Sequence, residues 1–113
     1  MKIYHNPRCS KSRQTLALIR AAGVEPEIVD YLNEPPSVEE LDELLKKLRL
    51  EPRDIMRKGE AEYKDLKLKD RELGRDEALR ILAEHPRLLE RPIVVEGRNA
   101  VLGRPPENVK KLL

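Results

Sequence analysis

Residues 1–32 narrow the choice of fold more than any other stretch of the chain. Lys2-Ile3-Tyr4 is a short apolar run suited to a strand, and from Ser10 to Ala22 the residues Leu16, Ile19 and Ala22, with Leu18 alongside, recur at helical spacing. Gly23 follows, a residue that tolerates the left-handed backbone with which helices end. Pro26 to Leu32 then reads as a second strand. Strand, helix and strand in that order suggest a parallel crossover unit, and so an α/β fold.

The rest of the chain adds helices first and a hairpin last. Asn33-Glu34-Pro35-Pro36 breaks the pattern, and Ser37-Val38-Glu39-Glu40 supplies a capping box, with Ser37 accepting from the first turn and Glu40 reaching back. The helix it opens carries Val38, Leu41, Leu44, Leu45 and Leu48 on one face, acidic residues early and lysines late, as the macrodipole favours. From Arg49 to Leu73 the periodicity weakens. Arg53 to Gly59 reads as a short helix closed by glycine, and Lys64 to Glu72 as solvated loop and short helix, because Asp65, Asp70 and Glu72 interrupt its lysines. Arg75 to Glu84 returns to helical spacing through Ala78, Leu79 and Leu82, stopped by His85-Pro86, where His85 caps or packs. Pro92 then leads a β-branched run, and the turn Glu96-Gly97-Arg98-Asn99 joins it to Ala100-Val101-Leu102 as a hairpin. Gly103-Arg104-Pro105-Pro106 opens a last short helix with Val109, Leu112 and Leu113 on one side.

With 113 residues the chain fits one domain, residues 1–113, with one modest core. Phe and Trp are absent, so that core is expected to be aliphatic, built from Leu, Ile, Val and Ala. The 23 basic and 21 acidic residues are interleaved, and three tyrosines offer few stacking platforms, which argues against nucleic acid as a partner. No apolar run is long enough to span a membrane and none resembles a signal peptide, so a cytoplasmic protein is expected; a monomer is expected as well. One cysteine rules out an internal disulfide, a Cys-x-x-Cys pair and any multi-cysteine zinc site; with only His5 and His85 besides, neither a metal nor a bound cofactor is expected.

That cysteine, Cys9, stands where the first strand gives way to the first helix. A helix start presents unpaired N–H groups and the positive end of the dipole, which favour a bound oxyanion or a thiolate. Arg8, Lys11 and Arg13 add charge of the same sign. A lone cysteine is often only a small buried hydrophobe. Here Pro7, Arg8, Ser10, Lys11 and Ser12 form no apolar face for it to join, so Cys9 reads as a nucleophile whose thiolate is the reactive form.

Strand, helix, strand, inserted helices, proline-led hairpin and helix is the order of a thioredoxin-like mixed sheet with a helical insertion. Four segments, His5-Asn6-Pro7-Arg8-Cys9-Ser10-Lys11-Ser12-Arg13, Met56-Arg57-Lys58, Arg91-Pro92-Ile93-Val94-Val95 and Leu102-Gly103-Arg104-Pro105, together resemble the glutaredoxin-coupled arsenate reductase family over nearly the whole chain. The resemblance implies that Cys9 attacks arsenate to form a thiol–arsenic adduct. It also implies that Arg57, Arg91 and Arg104 hold the oxyanion, that His5 and Ser12 keep the cysteine ionised, and that Pro92 is a cis-proline. Planar guanidinium forks suit a tetrahedral oxyanion better than a lysine point charge.

Reducing arsenate takes two electrons, and one cysteine cannot close a disulfide within the chain, so a second thiol comes from outside. The resemblance implies glutathione, or another small thiol, as co-substrate and glutaredoxin as partner. Ser12 stands where a dithiol enzyme has its resolving cysteine, and its hydroxyl is suited to donate to the thiolate. Ser10-Lys11 departs from the Gly-Thr of the best-known members. Two other functions share this fold: a Spx-type regulator that binds RNA polymerase, against which His5, Asn6 and Ser12 argue, and a monothiol reductase of glutathionylated proteins.

Overall fold

The computed structural model describes all residues, Met1–Leu113. Its elements are β1 (Lys2–Tyr4), α1 (Ser10–Ala21), β2 (Glu27–Val29), α2 (Val38–Leu48), α3 (Ala61–Asp65), α4 (Arg75–Glu84), β3 (Ile93–Glu96) and β4 (Asn99–Leu102). Short 3₁₀ helices occupy Pro52–Ile55, Leu68–Asp70, Pro86–Leu88 and Pro106–Leu112. Two compact units result, one formed by Met1–Glu34 with Arg91–Leu113, the other by Pro35–Glu90.

In the first unit a four-stranded mixed sheet has the order β2-β1-β3-β4. β1 pairs parallel with β2, Ile3 opposite Ile28, and antiparallel with β3, Ile3 opposite Val94. The parallel pair is the crossover that the opening residues predict. β3 and β4 close as a hairpin, Glu96 opposite Asn99, with Gly97 at φ +59° as a two-residue loop of the II′ kind requires. Ile3, Leu16, Ile19, Val94 and Val109 form the core of this unit, where α1 meets the C-terminal 3₁₀ helix. Each such side chain contributes about 1.5–3 kcal/mol by leaving water. The fold is the thioredoxin-like mixed sheet, with Pro35–Glu90 as the helical insertion between β2 and β3.

The second unit is helical. α2 begins at Ser37, whose Oγ accepts from the Glu40 N–H at 3.1 Å, a cap contributing about 1 kcal/mol, and it ends at Arg49 in the left-handed region. Leu41, Leu44 and Leu45 are buried and α2 packs against α4, which buries Ala78, Leu79, Ile81 and Leu82. Val38 and Leu48, at the ends of the same stripe, are only half-buried.

Five local expectations change. The second strand keeps three residues instead of seven, because Asp30 turns the chain: its carbonyl accepts from the N–H groups of Asn33 and Glu34, and its carboxylate from the Asn33 amide. The core is not purely aliphatic, since Tyr4, Tyr31 and Tyr63 are all buried. The helix expected to run to Gly59 stops at Ile55, after which Met56 bridges to Leu89 and the Arg57 N–H donates to the Leu88 carbonyl. Lys64 to Glu72, expected as solvated loop and short helix, does hold helical turns, the end of α3 and Leu68–Asp70, but Leu68 is fully buried, with Arg53 donating from its guanidinium to the Leu68 carbonyl. The last helix is 3₁₀ throughout, and Leu113 is exposed instead of sharing the face of Val109.

Candidate active site

Cys9 is the N-cap residue of α1, with extended backbone at φ −97° and ψ 122°. A turn brings it there: the Cys9 N–H donates to the Asn6 carbonyl, the Arg8 N–H to Asn6 Oδ1, and the Arg13 guanidinium to the Pro7 carbonyl. The residue is buried but not sealed, with 8% of its surface exposed. Burial pushes its thiol pKa up. Against that act the main-chain N–H of Ser12, the guanidinium of Arg91 by hydrogen bonding and by charge, and the N–H of Lys11, and the net result is a thiol more acidic than usual. Sγ makes no formed cap hydrogen bond, so these N–H groups act as dipoles facing the sulfur.

Two of the expected arginines share the site with Cys9. Arg91 is half-buried and joined to Pro92 by a cis peptide bond; Arg104 is exposed and also precedes a cis-proline, Pro105. Arg104 Nη1 lies 3.9 Å from Cys9 Sγ and donates to the Arg91 carbonyl at 3.2 Å, so the segments on either side of the β3–β4 hairpin are tied together beside the sulfur.

His5 and Ser12 form a buried pair one layer behind. His5 Nδ1 and Ser12 Oγ are 2.5 Å apart, and Ser12 Oγ also accepts from the Asn6 N–H at 3.0 Å. Desolvation, helped by the charges of Arg20 and Arg13 and opposed by Asp30, lowers the pKa of His5, which holds it neutral at physiological pH. Sequence reasoning placed the Ser12 hydroxyl on the sulfur; the structure places it between His5 and Asn6, and it is the Ser12 main-chain N–H that acts on the thiol.

Arg57 belongs to the other unit and has carboxylate partners there. Its Nε lies 3.2 Å from Glu60 Oε1 and its Nη1 2.8 Å from Glu90 Oε1. Burial alone would lower its pKa, but the two carboxylates more than offset this and raise it.

Sequence reasoning missed two residues. Thr15 is fully buried in α1, and Gly103, just before Arg104, sits where a Cβ would strike Thr15 and Pro92. A threonine in an amphipathic helix carries no signal of its own. A glycine leaving a strand beside an arginine is a weak pointer to close backbone approach.

An acidified thiol at the N-terminus of the first helix, on a thioredoxin-like sheet whose third strand follows a cis-proline, defines a thiol-based redox protein. The sequence profile of the ArsC family matches residues 4–112, and the chain belongs to that family. The uncharacterized protein YfgD of Escherichia coli K12 is 47% identical over all of this chain and 96% of its own length. An arsenate reductase of Neisseria meningitidis is 46% identical over all of this chain and 97% of its own. The structure of the arsenate reductase from Vibrio cholerae superposes with a TM-score of 0.95, at 51% identity, over 100% of this chain and 98% of that one. At the level of the family the protein is an oxidoreductase of the arsenate-reductase type. No helix is long and apolar enough to cross a membrane.

Proposed function

We propose that the protein reduces arsenate to arsenite through a covalent adduct on Cys9, with external thiols supplying the electrons. The observation that carries this reading is the approach of Arg104 Nη1 to 3.9 Å from Cys9 Sγ, with Arg91 also acting on the same sulfur. A thiolate beside two guanidinium groups is suited to receive a tetrahedral oxyanion, because the groups that acidify the thiol also neutralise the incoming charge.

In the proposed cycle the Cys9 thiolate displaces one arsenate oxygen, which leaves as water, and an S–As bond forms while arsenic is still pentavalent. Two external thiols then complete the reduction. They lose two electrons and leave joined as one disulfide, arsenic gains those electrons, and arsenite departs as the Cys9 thiol is restored. The chain has one cysteine, so both thiols come from outside; following the family resemblance this reading names glutathione as the first and a glutaredoxin thiol as the second, and the disulfide that leaves is the mixed one between them. His5 and Ser12 support the reaction by fixing the loop that carries Cys9: Ser12 Oγ ties the Asn6 N–H to the His5 ring. Arg57 is left out, since Glu60 and Glu90 bind its guanidinium.

Purified protein supplied with arsenate, glutathione and glutaredoxin should produce arsenite, and Cys9→Ser should abolish it. Turnover that survives the substitution, or disulfide formation without arsenite, would overturn the reading.

A further inference from the structure

Thr15 is fully buried and takes no direct part in the chemistry proposed above. Its Oγ1 donates to the Lys11 carbonyl at 2.8 Å and lies 3.4 Å from the Gly103 carbonyl oxygen. Across from it, a Cβ on Gly103 would fall 2.5 Å from Thr15 Oγ1, 2.7 Å from Pro92 Cγ and 3.1 Å from Thr15 Cγ2. The Gly103 N–H donates to the Pro92 carbonyl at 2.9 Å. Three chain segments therefore meet at one contact that has no room for a methyl group.

Each segment carries a side chain of the site a short way along the backbone. Cys9 heads the helix that holds Thr15, Arg91 precedes Pro92, and Arg104 follows Gly103. Arg104 is exposed, and its guanidinium reaches both the Arg91 carbonyl and the sulfur, so where that group stands depends on where its backbone starts. The contact at Thr15 fixes that backbone against the helix bearing the sulfur.

We propose that Thr15 is a positioning residue: packed against Gly103 and Pro92, it sets where Arg104 stands relative to Cys9 and so governs the hold of the site on an oxyanion. The oxyanion part rests on the arsenate reading above; the placement of Arg104 does not.

The test compares wild type with Thr15→Ser, which keeps the hydroxyl, and Thr15→Val, which puts a methyl in its place. Thr15→Ala serves as a second hydroxyl-free variant should the valine protein fail to fold. Two quantities are read: the pH midpoint of Cys9 alkylation without oxyanion, and the arsenate concentration that half-protects Cys9 from alkylation. Loss of the hydroxyl should raise the half-protecting concentration about fivefold, the scale of one neutral hydrogen bond, while Thr15→Ser stays near wild type. The alkylation midpoint should rise with Thr15→Val, and both effects should vanish when Arg104→Ala is already present. Thr15→Val protein that is less heat-stable but unchanged in both readings, or effects that persist without Arg104, would overturn the proposal. Absence of arsenate protection in wild type would defeat the arsenate reading alone, leaving Thr15 to be judged on the midpoint.

Discussion

Replacing Arg104 by Gln removes one positive charge beside the Cys9 sulfur and keeps a side chain able to donate a hydrogen bond. Nη1 is 3.9 Å from Sγ, and a unit charge at that distance from a thiolate is worth about 1 kcal/mol in a water-like dielectric and about 4 kcal/mol at an effective dielectric of about 20. Arg104 is exposed, so the lower figure applies, and spreading its charge over three nitrogens offsets what partial burial of the sulfur adds. At 1.36 kcal/mol per pH unit, Arg104→Gln should raise the midpoint of Cys9 ionisation by about 0.7 units. The assay is the rate of iodoacetamide alkylation against pH, checked by thiolate absorbance in the ultraviolet. Arg104→Lys should keep most of the wild-type midpoint, because the charge remains. Salt supplies an internal control: near 1 M the screening length is about 3 Å, and the gap between wild type and Arg104→Gln should narrow. Coincident titrations of wild type and Arg104→Gln at low salt would refute the assignment of Arg104 to the sulfur. A lysine variant that behaves like the glutamine one would show that the shape of the guanidinium, not its charge, is what matters.

Two further outcomes follow from the titrating groups of the site. The thiol of Cys9 is acidified in the folded protein, so its ionised form adds stability that is fully present above the unfolded thiol value of about 8.5 and is lost as pH falls through the lower folded value. Denaturant unfolding of wild type and Cys9→Ser across neutral to alkaline pH should therefore show a difference that grows with pH up to about 8.5 and then levels off; a difference independent of pH would contradict it. His5 is a base whose folded pKa is lowered, so the unfolded chain takes up its proton first and stability should fall as pH drops below about 6.5 toward the folded value. His5→Gln should remove that slope above the carboxylate range, whatever it does to absolute stability, and an unchanged slope would place the acid sensitivity elsewhere.

What could be read from the sequence was what local periodicity and local chemistry determine. The strand Lys2–Tyr4, the caps at Ser37 and Gly23, the helices α1, α2 and α4 and the terminal hairpin each rest on side chains within a few residues of one another, and each formed close to where expected. The failures share one cause. The pattern of Pro26 to Leu32 suits a strand of seven residues, and β2 keeps three, because the Asp30 carbonyl and carboxylate that bend it act through hydrogen bonds no hydropathy pattern contains. The charged neighbours of Leu68 point to solvated loop and short helix; the helical turn is there, yet Leu68 is fully buried. In the site, Cys9 and the arginines stood out by type and position, whereas Thr15 and Gly103 matter only through an approach across 88 residues of chain.

The same division separates what makes Cys9 reactive from what would have made it inert. At 8% exposure the Cys9 thiolate lacks most of the hydration it would have in water, and burial is the largest single influence on its pKa, directed toward the neutral thiol. An isolated cysteine so placed would behave as a small core residue. The thiol is nonetheless acidified, so the N–H groups of Ser12 and Lys11 and the guanidinium of Arg91 must together exceed that penalty. The N–H groups come with the helix start, which the sequence fixes locally; Arg91 comes from a segment that the hairpin's antiparallel pairing with β1 carries back beside the first strand. Reactivity is in this sense a tertiary property. The main-chain N–H groups of the helix start and the guanidinium of Arg91 act together against burial, and Arg104, whose Nη1 lies 3.9 Å from the same sulfur, adds a second positive charge from the far side of the hairpin.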